Sequence, residues 1–195
     1  MHNTQKSNPM LVLVRGVPGS GKSFFADKLR ISFDQNDYIV LDPDATNYDS
    51  QEYKEHIKKQ IAENVDPKLH PYRFLRAKAF DAIKNSQIII WNQPFTDLAV
   101  MKNVTNKLEE FAQENNKNLK ILVVELVVPK SIAWDRVSQR KSHGGHGPSE
   151  EKFNIFYDSF ITAETAGYET ISIDGQQDPK VNINTVVKLI EKLRE

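Results

Sequence analysis

The segment Gly16-Val17-Pro18-Gly19-Ser20-Gly21-Lys22-Ser23 combines glycines, one lysine and one hydroxyl in the spacing G-x-x-x-x-G-K-S. Glycines let the chain curl until successive backbone N–H groups point into one concavity, a shape that holds phosphate oxygens. A helix starting at its end adds free N–H groups and the positive end of its dipole. In that setting Lys22 reaches the β- and γ-phosphates of a nucleotide, and Ser23 offers its hydroxyl to Mg²⁺. Residues 16–23, with Phe24 directly after them, are the expected nucleotide-binding residues, and ATP with Mg²⁺ the expected cofactors.

Four other groupings carry chemistry. Phosphoryl transfer to a hydroxyl uses a carboxylate that orients the nucleophile and takes its proton. Asp42 and Asp44 in Asp42-Pro43-Asp44 can serve, against the plainer reading of an Asp-Pro turn that caps a helix. Arg136 and Arg140 stand four apart and share a helix face. Guanidinium groups there suit the charge that spreads over a transferring phosphoryl group, and equally a solvated basic face. The glycine-rich loop from Lys141 to Pro148 follows, suited to open and close over a site. It carries His143 and His146, which lack a Cys or carboxylate to complete a metal set and fit nucleotide or acceptor contact better. Lys68, His70, Tyr72, Arg73, Arg76 and Lys78 mix cations with aromatics, either an anion-binding surface or one solvated helix face.

Short apolar runs must position these groups. Met10–Val14, Tyr38–Leu41, Ile88–Trp91, Ile121–Val128 and Thr170–Ile173 read as five strands. Helical stripes separate them: Phe25, Leu29 and Phe33; Leu98 to Ala112, starting near Thr96; and Ile183 to Leu193. Non-alternating strands interleaved with helices imply an α/β fold, a three-layer sandwich around a five-stranded parallel sheet. Ligands then bind at the strands' carboxyl ends. The chain reads as a single domain, 1–195, with a helical acceptor-binding insertion at 48–86, broken at Asp66-Pro67, and a lid region at 130–160.

Composition narrows the function classes. The chain has 195 residues, 26 basic against 26 acidic, no cysteine, and 39% hydrophobic residues. Thiol chemistry and thiolate metal sites are excluded. Zero net charge argues against wrapping duplex nucleic acid but permits a local basic patch. Met1 to Met10 is polar and contains Pro9, unlike a signal peptide, and no apolar run approaches the roughly 20 residues that span a bilayer. A soluble, cytoplasmic protein without a membrane partner is expected.

Leu13-Val14-Arg15-Gly16-Val17-Pro18-Gly19-Ser20-Gly21-Lys22-Ser23, Leu41-Asp42-Pro43-Asp44 and the Arg136/Arg140 pair before a glycine-rich loop resemble the P-loop NTPases. More narrowly, they resemble the small P-loop kinases that include zeta toxins and the 5′-kinase domain of polynucleotide kinases. The resemblance implies transfer of the γ-phosphoryl of ATP, or GTP, to a hydroxyl of a small anionic or nucleotide-like acceptor. A nucleotide sugar and an RNA or DNA 5′ end are the two acceptor readings; a switch that binds nucleotide and transfers nothing is the alternative class. By the same resemblance Asp44 is the acceptor-activating carboxylate, with Asp42 second, and Arg136 or Arg140 stabilises transfer. Two departures stand out. Asn47 occupies the position where those kinases often carry a basic residue for an acceptor phosphate. Asn92 and Gln93 follow the third strand where many P-loop proteins place an Asp for Mg²⁺. The metal then rests on Ser23, the nucleotide phosphates and Asp42 or Asp44; otherwise Asn92 or Gln93 binds substrate, or the enzyme is degenerate.

Overall fold

Six consecutive residues removed from solvent, Met10–Arg15, form β1, the middle strand of the sheet in the computed structural model, which describes residues 8–195. The polar stretch that argued against a signal peptide lies outside the described residues as far as position 7. The other strands are β2 (Tyr38–Leu41), β3 (Ile88–Asn92), β4 (Lys120–Val127) and β5 (Thr170–Asp174). Their order is β2-β3-β1-β4-β5 and every pairing is parallel. The expected five-stranded parallel sheet is therefore present, with strand ends within a residue or so of those read from the apolar runs.

Among the described residues seven α-helices flank the sheet: α1 (Lys22–Arg30), α2 (Gln51–Ala62), α3 (His70–Lys84), α4 (Leu98–Glu114), α5 (Lys130–Ser142), α6 (Glu150–Asp158) and α7 (Pro179–Arg194). Alternate residues of each inner strand feed opposite faces, so both faces are apolar. Val12, Val14, Ile90 and Val124 pack against Phe25 and Leu29 of α1 and Val186 and Ile190 of α7. Leu11, Leu13, Ile89 and Val123 pack against Phe74 and Ile83 of α3 and Met101 and Leu108 of α4. Phe33, read as the third residue of the α1 stripe, lies past the helix end but packs on the same cluster. The break expected at Asp66-Pro67 is a short 3-10 turn, Pro67–Leu69, whose Asp66 side chain accepts from the Lys68 N–H. Ser50 and Asp97 cap α2 and α4 in the same manner.

A third, smaller cluster joins Val17, Val128, Ala133, Val137 and Phe153. It seats α5 and α6 against Val17 of the phosphate loop, so the segment after β4 packs on the site by apolar contact. No helix among the described residues is long and apolar enough to cross a membrane.

Candidate active site

The loop of residues 16–21 leaves β1 and delivers Lys22 as the first residue of α1. Gly19 has φ +84°, and a Cβ there would collide with the Ala133 carbonyl of α5. Gly16 has φ +149°, and a Cβ would come 2.7 Å from the Leu126 carbonyl. Both positions therefore demand glycine for backbone angle and for space. Val17 and Ser20 lie beneath the loop, buried, while Pro18, Gly19, Gly21, Lys22, Ser23 and Phe24 line a hollow of about 770 Å³. Phe24 is exposed there, with the Lys28 ammonium 5.7 Å from its ring centroid.

Lys22 donates to the Val17 carbonyl at 3.0 Å. Its pKa is pushed down to about 8, first by desolvation and then by Arg140; Asp44 and Asp42 oppose the shift. Asp44, Arg136 and Arg140 line the same hollow, so the candidate carboxylate and both arginines converge on the phosphate loop. Arg136 donates to the Gly19 carbonyl and to the Gly175 carbonyl, each at 3.3 Å, and so ties the phosphate loop to the loop after β5. His146 lines the hollow; His143 instead bonds through Nδ1 to the Gln139 carbonyl at 2.8 Å.

Asp42 stands apart from that lining. Its Oδ1 accepts from the Asp44 N–H at 2.8 Å, which sets the turn that points Asp44 outward. Its Oδ2 accepts from Asn92 Nδ2 at 2.6 Å, and the same nitrogen donates to Ser23 Oγ at 3.0 Å. Asn92 thus links the two residues expected to hold Mg²⁺. Asn92 Oδ1 is buried with no hydrogen-bond partner, while its Nδ2 faces the Ser23 hydroxyl and the Asp42 carboxylate, two oxygen donors. That all-oxygen donor set fits a hard divalent cation carrying its own waters. Among the described residues no three His, Cys, Asp or Glu side chains gather, so the remaining ligands would have to be phosphate oxygens and water.

Two features escaped the sequence reading. Arg15, quoted only as part of the loop motif, is fully buried and pairs at 2.6 Å with Glu125, its register partner on β4. Arg15 also donates to the carbonyls of Ile161 and Phe95, each at 2.9 Å, and stacks 4.4 Å from the Phe160 centroid. Glu125 takes the Ala163 N–H at 2.7 Å. Burial lowers the Arg15 pKa more than its partner raises it. A charged residue at the end of one apolar run, and another inside a second, was the available signal for the pair. The second is a chain of hollows. One of about 290 Å³ shares Pro18 and Pro94 with the phosphate-loop hollow, and Gln93 and Val100 with another of about 460 Å³. Arg73 and Arg76 line that last one, so they stand apart from the phosphate loop, two hollows away.

A family model described as Zeta toxin matches residues 1–172. No curated protein sequence matches the chain. Among solved structures it is similar to a Chloroflexus aurantiacus j-10-fl protein assigned as a kinase, with TM-score 0.66, 16% identity, and coverage of 96% of this chain and 98% of that one. It is similar also to a gluconokinase from Sinorhizobium meliloti 1021 (TM-score 0.54, 15% identity, 96% of each chain). A third is the deoxyadenosine kinase from M. mycoides with bound dATP (TM-score 0.55, 18% identity, 93% and 99%). These likenesses establish the fold, the three-layer α/β sandwich of P-loop kinases.

Proposed function

The chain belongs to the zeta toxin family, and on that footing we propose that it is an ATP-dependent kinase that phosphorylates a hydroxyl of a small anionic or nucleotide-like acceptor. One observation carries the reading: a single hollow is lined by Lys22, Ser23, Asp44, Arg136 and Arg140, brought from three separate segments of the chain. Lys22 and the loop N–H groups hold the nucleotide phosphates. Asp44 accepts the proton of the acceptor hydroxyl as its oxygen bonds to the γ-phosphorus and the bond to ADP breaks. Arg136 and Arg140 offset the charge on the transferring oxygens. Ser23 and Asp42 would hold Mg²⁺, which when bound neutralises phosphate charge. The same proposal makes residues 1–195 one domain, with 48–86 on the acceptor side and 130–160 as lid.

The neighbours named above act on different acceptors, so the fold leaves the acceptor open. A nucleotide sugar and a polynucleotide 5′-hydroxyl remain the two specific candidates. Asn92, standing where an acid would hold metal, favours a second reading, a nucleotide-binding switch without transfer. Labelled ATP offered with nucleotide sugars, nucleosides and 5′-hydroxyl oligonucleotides separates them. Lys22→Ala and Asp44→Asn should each lower transfer by about 100-fold or more. Transfer unchanged from the parent protein in both variants on a proven acceptor sinks this reading of the site.

A further inference from the structure

The hollow of about 460 Å³ between α3 and α4 is lined by Arg73, Arg76 and Lys107 and by no acidic residue. Arg76 is half-buried and makes no hydrogen bond or ion pair among the described residues. Arg73 reaches only the Gln60 amide at 3.2 Å and the exposed Glu63 carboxylate at 3.9 Å. Two adjacent, partly desolvated guanidinium groups repel each other, and burial followed by the Arg73 charge lowers the Arg76 pKa. By contrast Lys78, on the same helix, is paired with Glu52 at 2.8 Å. A solvated basic face would not need a walled hollow, nor leave its inner arginine half out of water. Tyr72, Gln93 and Asn103 add a ring and two amides to the lining.

We infer that this hollow is an anion subsite, and that the acceptor is a small phosphate ester whose phosphate sits on Arg73, Arg76 and Lys107. The connecting hollow of about 290 Å³ supports the assignment. Five of its eight lining residues are apolar, Asp97 is among the rest, and it shares Pro18 and Pro94 with the phosphate-loop hollow. The acceptor is therefore anionic at one end, with an apolar or ring-like middle and the reacting hydroxyl at the other end, toward Asp44. Overall neutrality of the chain argues against a long polyanion and for a compact ligand. The acceptor assignment rests on the kinase reading above; anion binding does not.

The test is calorimetric titration of inorganic pyrophosphate into the full chain and its variants. The phosphate loop is itself a pyrophosphate site, so Lys22→Ala serves as background to weaken that contribution. Binding should persist in Lys22→Ala and fall by about tenfold per arginine when Arg73→Gln and Arg76→Gln are added. Lys107→Gln, on the exposed side of α4, should weaken it less and tests the site should the arginine variants fail to fold. Loss of all binding in Lys22→Ala, or binding indifferent to the arginines and to Lys107, overturns the subsite. An inactive protein that binds pyrophosphate through the arginines sinks the kinase reading and leaves the anion site standing. An active kinase whose acceptor KM ignores both arginines sinks the acceptor assignment alone. Displacement of pyrophosphate by a short single-stranded oligonucleotide more readily than by a nucleoside diphosphate overturns the small-ester assignment.

Discussion

Arg15→Met removes one end of a fully buried ion pair and three further contacts at once. Glu125 is 2% exposed, so its charge would be left without compensation except for the Ala163 N–H. Breaking a buried pair in this way costs about 3–5 kcal/mol. The carbonyls of Ile161 and Phe95 lose their donor, adding about 1 kcal/mol each if water reaches them. Phe95 has φ +42°, a strained angle for a bulky side chain, and its carbonyl is one of the two Arg15 holds. The expected loss is therefore about 5–7 kcal/mol, a large part of the 5–15 kcal/mol that holds a typical domain together. Urea denaturation followed by circular dichroism measures it. The double variant Arg15→Met/Glu125→Leu should recover about 2 kcal/mol or more of the loss, because the stranded charge goes with it. A single variant within about 1 kcal/mol of the parent refutes the argument. So does a double variant less stable than Arg15→Met, which would mean that the pair acts only through its separate hydrogen bonds.

Two other outcomes follow from the loop. Lys22 titrates near 8 in the fold against 10.5 in the unfolded chain, so between those values the unfolded state holds more protons and stability rises with pH. Nucleotide binding moves the opposite way because it needs the ammonium: affinity should fall by about tenfold from neutrality to about pH 9, and Lys22→Met should remove both slopes; a binding profile flat across that window contradicts the assignment. Gly19→Ala must push α5 off the loop or twist the loop itself, since its Cβ meets the Ala133 carbonyl and φ is +84°. A destabilisation of about 2 kcal/mol or more with weakened nucleotide binding is expected, read by thermal melting and nucleotide titration.

The inner strands β1, β3 and β4 were legible because parallel strands buried on both faces are nearly unbroken apolar runs, while the edge strands β2 and β5 are shorter and only partly buried. The phosphate loop was legible because its geometry forbids side chains at fixed positions. Arg15 shows where that approach stops. Within Leu13-Val14-Arg15 nothing local says whether the arginine faces solvent or a carboxylate 110 residues away; the β1–β4 register decides it. The anion hollow was half legible. The mixture of cations and aromatics on α3 was visible, but Lys107 and Gln93 join Arg73 and Arg76 only through tertiary packing. Helical spacing alone therefore left binding surface and solvated face indistinguishable.

Asn92 is better understood with Asp42 than alone. Leu41 pairs with Trp91 across β2 and β3, so Asp42 and Asn92 are the next residues on adjacent strands. They meet at 2.6 Å, and Ser23 lies 3.0 Å from the same amide nitrogen. An aspartate at position 92 would set two carboxylates side by side beside the phosphate loop, and like charges that close cannot both ionise without a cation between them. The amide removes that conflict and donates to both oxygens. One carboxylate therefore stays at the mouth of the sheet, carried by β2 rather than β3, with its orientation fixed by Asn92. The kinase proposal therefore needs Asp42 to serve in place of a third-strand acid, and the switch reading follows if it does not.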